Sequence, residues 1–262
     1  MKPLLLLVDL QRDYLAAPGL EPPTGAVVRR AAHLLEGCRG AGLDVAHAWT
    51  TVSREADDRM PHWRRDDRWL CVEGTAGHAP PAELEPAEGE PVIHKTHFSP
   101  FAGPALDDLI SERQTDLLIV CGVHLHGCVR ETVLGAYERG LQIWVAEDAV
   151  ASDDPVHAAI TRRYLERRAA RFPTVDETLA QLGAAEKTHG GDGRAPDVAP
   201  AQVPESRVLE TASACRAAQP AWSVQPLESR LDVLSGLAAT LDGEADELAD
   251  LMAAEIGKPV RY

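Results

Sequence analysis

The chain has 262 residues, 45% hydrophobic and 26% charged, with 26 basic and 41 acidic side chains and a formal charge of −15. At a usual domain size of roughly 100–200 residues, this allows one large domain or one domain with an appendage, and the composition excludes a disordered or fibrous chain. The acidic excess holds on both sides of Gly183, with 19 basic and 28 acidic side chains up to it and 7 and 13 after it, which argues against nucleic acid as a partner.

Up to about residue 183, short β-rich runs alternate with helical patterns, the signature of a three-layer αβα fold with a parallel sheet. Leu4 to Val8 reads as a continuous apolar strand, and Ala26 to Arg39 as a helix burying Val27, Ala31, Leu34, Leu35 and Cys38 before Gly40 and Gly42 stop it. Leu43 to Ala48 is the second strand. From Thr50 to Gly89 periodicity is lost in a stretch rich in Arg, Asp, Trp and Pro, expected as a long irregular segment over one sheet edge. Pro91 to His94 resumes as a strand, Pro104 opens a helix through Ile110, and Asp116 to Cys121 is a fully buried central strand. Cys128 to Arg139 follows as a helix, Leu141 to Ala146 as a strand, Pro155 to Ala170 as a helix capped by Asp153 or Asp154, and Thr174 to Leu182 as a final short helix.

Residues 184–206 hold Gly190, Gly191, Gly193, Pro196, Pro200 and Pro204 and read as a flexible linker. Residues 207–262 are rich in Ala, Leu and Glu with apolar residues at helical spacing, such as Leu231, Leu234, Leu237 and Leu241. A helical pair of this size rarely buries enough surface to stand alone.

The apolar run Leu4 to Val8 is too short for a membrane span and no cleavage-site pattern follows it, so a cytoplasmic protein without a membrane partner is expected. Five cysteines with no C-x-x-C spacing argue against disulfides and thiolate metal sites; Cys38, Cys71, Cys121 and Cys215 are read mostly as core.

In an open parallel sheet, reactive side chains gather beyond the carboxyl ends of the strands. Asp9 follows the first strand, Lys95 follows PVIH, and Cys128 opens the helix after the central strand. A thiol at a helix N-terminus beside an ammonium is expected to be partly ionised at neutral pH. Asp9 would take its proton and later give it to a leaving amine, with backbone N–H groups from Val123 to Cys128 facing the oxyanion: acyl transfer to water.

The segments LLLLVDLQRDY, GTAG, VIHKTHFSPF and IVCGVHLHGCVRETVLGAYERGLQIWVAEDAVAS, in this order, resemble the isochorismatase-like cysteine hydrolases over roughly residues 3–182. The resemblance implies an Asp9–Lys95–Cys128 triad, a cis peptide joining Val123 to His124, and the backbone amides of His124 and Cys128 as oxyanion donors. It also implies a homo-oligomer. The Asp-x-His metal set of the family's nicotinamidases has no counterpart in HAWTTVSREADD, so no metal and no cofactor are expected, and Cys128 sets the chain apart from true isochorismatases. A small amide or ureido substrate follows.

Phe98 and His126 are candidate substrate contacts; Gln11 is read first as a supporting hydrogen-bond partner and second as a contact. His124 and His126 are expected to shape the pocket, and Trp63, Trp69 and Phe101 either wall it or pack between loop and sheet. Arg162, Arg163, Arg167 and Arg168 are read as a solvated face or a subunit contact. The tail, AWSVQPLESRLDVLSGLAATLDGEADELADLMAAEIGKPV, resembles the N-terminal helical pair of aldehyde dehydrogenases without their nucleotide-binding sheet or catalytic cysteine. That implies a divided fusion or a dehydrogenase partner, and an idle module feeding such a partner is the alternative function.

Overall fold

The computed structural model describes residues 1–187 continuously, and scattered positions between 213 and 240. The expected linker from 188 onward, Cys215 and most of the helical tail lie outside the described residues. The chain divides into two units between Gly190 and Gly191.

The first unit runs β1 (Pro3–Val8), α1 (Arg12–Leu15), α2 (Thr24–Gly40), β2 (Asp44–Thr50), α3 (Pro61–Arg65), β3 (Val92–Lys95), α4 (Ala105–Arg113), β4 (Leu117–Val123), α5 (Arg130–Glu138), β5 (Gln142–Ala151), α6 (Pro155–Glu166) and α7 (Val175–Lys187). The five strands form one parallel sheet in the order β3-β2-β1-β4-β5. Side chains alternate across β1, so Leu5 and Leu7 pack with α2 and α7 while Leu4, Leu6 and Val8 pack with α4, α5 and α6. All five leucine and valine side chains are fully buried, each contributing about 1.5–3 kcal/mol of transfer free energy.

Gly122 sets the closeness of the two central strands. Its φ is +136°, and a Cβ there would lie 2.0 Å from the Val8 carbonyl oxygen, so β4 approaches β1 only without a side chain.

Three expectations are corrected. β5 runs to Ala151 rather than Ala146: Glu147 and Asp148 interrupt the apolar run, but each meets an arginine, Arg162 at 2.5 Å and Arg30 at 2.6 Å, which lets an edge strand carry them. Residues 125–129 do not open the α-helix. They form a wide turn in which Gly127 (φ −117°, ψ −108°) is non-helical and the Val129 N–H reaches the His124 carbonyl five residues back at 3.3 Å. α7 continues to Lys187, past the expected helix end at Leu182. Asp154 caps α6, its carboxylate accepting from the His157 N–H at 2.9 Å. Among the described residues no helix is long and apolar enough to cross a membrane.

Candidate active site

The strand order reverses between β1 and β4, which opens a crevice beyond their carboxyl ends. Asp9 stands there, just past β1, in a left-handed conformation (φ 52°) that non-glycine residues rarely adopt. Lys95 ends β3, two strands away, and its side chain must cross β2 to reach Asp9. It does so over Thr50, its register partner on β2.

The outcome is a dry, densely bonded cluster. Lys95 Nζ donates to Asp9 Oδ2 at 2.7 Å, to the Thr50 hydroxyl at 2.8 Å and to the His97 carbonyl at 3.0 Å, and lies 3.5 Å from Cys128 Sγ. Four acceptors surround three N–H bonds, so the sulfur shares a hydrogen already committed elsewhere. Asp9 Oδ1 accepts from the Thr50 N–H at 2.8 Å and its hydroxyl at 2.9 Å. Tyr14 donates to the same hydroxyl at 3.2 Å. Asp9 is fully buried, and Lys95 nearly so. The structure thus brings Asp9, Lys95 and Cys128 together and adds Thr50 and Tyr14, which the sequence reading passed over.

Burial pulls the Lys95 pKa down, but Asp9 and Cys128 outweigh it and leave the ammonium held above its ordinary value. Burial pushes the Cys128 thiol up, Asp9 adds to that, and Lys95 only partly opposes them. This direction runs against the expected partial ionisation, because the sulfur sits in a desolvated turn beside a carboxylate rather than on an exposed helix end. Cys38, Cys71 and Cys121 are buried as expected, with thiols likewise raised by burial.

Cys128 is 3% exposed and forms part of the wall of a cavity of about 630 Å³. Phe98 and His126 line this cavity too. Phe98 is exposed at its mouth, stacked on His62 with ring centroids 6.0 Å apart, and His126 Nδ1 lies 2.5 Å from the Ser152 hydroxyl. Gln11 does not line it. Its amide nitrogen donates to the Thr50 and His78 carbonyls, both at 2.8 Å, and its oxygen accepts from the Thr50 N–H at 2.9 Å. A fully buried amide so occupied has nothing to offer a substrate, so Gln11 is a clamp on the end of β2 and not a contact.

His124 lines the cavity from the cis peptide that joins it to Val123. Its ring lies edge-on to Tyr14, with Nδ1 3.2 Å from Asp153, and burial lowers its pKa more than Asp153 restores it. Asp13 is a further wall residue unread in the sequence: it accepts from the Cys71 N–H at 2.7 Å, and a Cβ on Gly77 would lie 2.0 Å from it, which explains the last glycine of GTAG. Trp63 walls the cavity, whereas Trp69 stacks under Arg59 at 3.7 Å and Phe101 under Arg139 at 4.1 Å.

The isochorismatase domain family matches residues 3–177, and the chain belongs to it. Residues 198–262 match the aldehyde dehydrogenase family. Maleamate amidohydrolase of Pseudomonas putida is 28% identical over 169 residues, covering 60% of this chain and 76% of that protein. The crystal structure of an isochorismatase family protein from Desulfovibrio vulgaris superposes with a TM-score of 0.60 at 31% identity, over 68% of this chain and 98% of that one. N-carbamoylsarcosine amidase from Thermoplasma acidophilum gives 0.59 at 29% identity, over 67% and 98%.

Proposed function

We propose that the protein is a cysteine hydrolase that cleaves the C–N bond of a small amide or ureido substrate through a thioester. The observation that carries this reading is a sulfur on a cavity wall with a buried ion pair directly behind it: Cys128 Sγ 3.5 Å from Lys95 Nζ, itself 2.7 Å from Asp9. The names of the amidohydrolase and amidase relatives support the same bond type.

With the thiol pKa raised by burial and by Asp9, proton removal accompanies attack. Asp9 accepts the thiol proton as the Sγ–C bond forms, and the Lys95 ammonium offsets negative charge on the sulfur. The backbone N–H groups of His124 and Cys128 receive the oxyanion. Collapse breaks the C–N bond, with Asp9 returning the proton to the departing nitrogen, and the amine or ammonia leaves. Water then gives a proton to Asp9 and its oxygen to the acyl carbon, releasing the acid, or a carbamic acid from a ureido group, and restoring the thiol. Phe98 and His126 meet the substrate.

The test is intact-protein mass spectrometry after brief mixing with a panel of small amides and ureido compounds, alongside turnover. The expected result is an acyl adduct on Cys128 with at least one member, lost with turnover in Cys128→Ala. A second reading, an idle module serving an aldehyde dehydrogenase, rests on the match at residues 198–262. No adduct and no turnover with any compound would favour it.

A further inference from the structure

Asp153 stands two residues beyond the end of β5, at the same carboxyl edge of the sheet as Asp9, and forms part of the cavity wall with Cys128. Its backbone is fixed on both sides. Ser152 exchanges two backbone hydrogen bonds with Glu21, both at 2.9 Å, and Asp154 caps α6. The carboxylate is thus presented in one place, with 40% of the side chain open.

The neighbours of this carboxylate are imidazoles rather than fixed cations. Its Oδ1 lies 3.2 Å from His124 Nδ1 and 3.9 Å from His126 Nε2, and among the described residues no lysine or arginine comes within ion-pair distance. His124 does not supply the missing charge at neutral pH, since burial holds its pKa below the ordinary imidazole value. The other charged groups on the wall are differently placed. Asp13 accepts from the Cys71 N–H at 2.7 Å, and Arg130 lies 3.7 Å from Glu131. Arg68 is exposed and its described hydrogen bonds run through its backbone, so holding an anion there would mean ordering a long side chain. Tyr14, Trp63 and Phe98 add aromatic rings to the wall, and the faces of such rings attract cations. The acidic excess up to Gly183, 28 acidic against 19 basic side chains, also favours the approach of a cation.

We infer that the amide cleaved here carries a positively charged amine at its far end, and that Asp153 receives the ammonium while the carbonyl faces Cys128. The inference rests on the hydrolase reading above and names a class of substrate for it. The cavity of about 630 Å³ falls in the range of roughly 300–1,000 Å³ that holds drug-sized molecules, so a bare amide leaves room for such an arm. Asp153 contacts the ring of His124, the residue whose backbone N–H is assigned to the oxyanion, which sets the ammonium a short chain away from the carbonyl. Asp153 is a specificity residue with no part in bond cleavage.

The probes are ω-amino amides of increasing chain length, protonated at neutral pH, their neutral alkanamide counterparts and the corresponding monoamides of dicarboxylic acids. With the full chain, kcat/KM is expected to be about fivefold or more higher for the best amino amide than for its neutral counterpart, and lowest for the acid. In Asp153→Asn the ratio of amino to neutral amide should fall to near one, and in Asp153→Lys the order of amine and acid should reverse, with thermal unfolding of both variants reporting on the fold. Calorimetric titration of the same probes into Cys128→Ala, with and without Asp153→Asn, reads the preference without chemistry. Equal turnover of neutral and cationic amides, a preference for the acid, or a charge preference that survives Asp153→Asn would overturn the inference and leave the hydrolase reading standing. No turnover of any probe, with the amino amide still bound preferentially through Asp153, would overturn the hydrolase reading and keep the ligand class. No turnover and no charge preference in binding would overturn both.

Discussion

The Thr50 hydroxyl donates to Asp9 at 2.9 Å while its backbone N–H reaches the same carboxylate oxygen at 2.8 Å, so one residue of β2 holds the carboxylate of β1 by two bonds. The same hydroxyl accepts from Lys95 and Tyr14. Thr50→Val keeps the shape and removes all three side-chain bonds. Leaving buried donors unsatisfied costs about 1–3 kcal/mol, to be read by urea denaturation. Loosening Asp9 and Lys95 is expected to lower kcat by up to about 100-fold with little change in KM. Thr50→Ser should recover most of both; a normal kcat in Thr50→Val would refute the positioning role.

Cys128 carries a raised thiol pKa, caused by burial and then by Asp9. For an acid whose pKa is raised, the ionised fraction stays small until the pH exceeds the ordinary thiol value of about 8.5. Iodoacetamide labelling of Cys128, followed by peptide mass spectrometry, should therefore keep accelerating from neutral pH to beyond about pH 9. A plateau below pH 8 would show a pre-formed thiolate.

Glu90 clips the approach to β3, accepting from Arg39 at 2.7 and 2.8 Å and lying 2.9 Å from His47 Nε2. Burial raises its pKa, but Arg39 and His47 outweigh that and hold it to about 2. A depressed carboxyl stabilises the fold above its unfolded value of about 4.3 and loses that contribution as pH falls through the folded value. Glu90→Gln should cost roughly 2–3 kcal/mol at pH 7, and the difference from wild type should shrink below pH 4 and close near pH 2. A difference independent of pH would mean packing rather than charge is responsible.

Gly122→Ala introduces a methyl group 2.0 Å from the Val8 carbonyl oxygen, at a φ of +136°. Neither strand can yield, since both are central and fully buried. A loss above about 4 kcal/mol is expected, seen as an insoluble chain or a collapse of the thermal transition. Gly140→Ala is the control: its φ is also positive, at +74°, but nothing lies within 4 Å of the added carbon.

Strand and helix positions were legible because the buried runs of β1 and β4 and the spacing in α2 leave one reading each. The end of β5 was not, since the partners that satisfy Glu147 and Asp148 come from remote helices. Asp9, Lys95 and Cys128 were legible as strand-end residues in a parallel sheet. Thr50 carried the same signal but follows AW at the edge of the irregular stretch, and only the register of β2 between β1 and β3 shows that it bridges them. The protonation of Cys128 depends on solvent exclusion, which spacing does not report.

The strand order has a consequence for synthesis. β1, β2 and β3 can pair as soon as the first hundred or so residues leave the ribosome, but the far edge of β1 stays open until β4 arrives from residues 117–123. The nascent chain thus displays an uncovered leucine-rich edge during elongation, a binding target for chaperones. It can also bring Asp9 and Lys95 together before Cys128 has emerged from the ribosome.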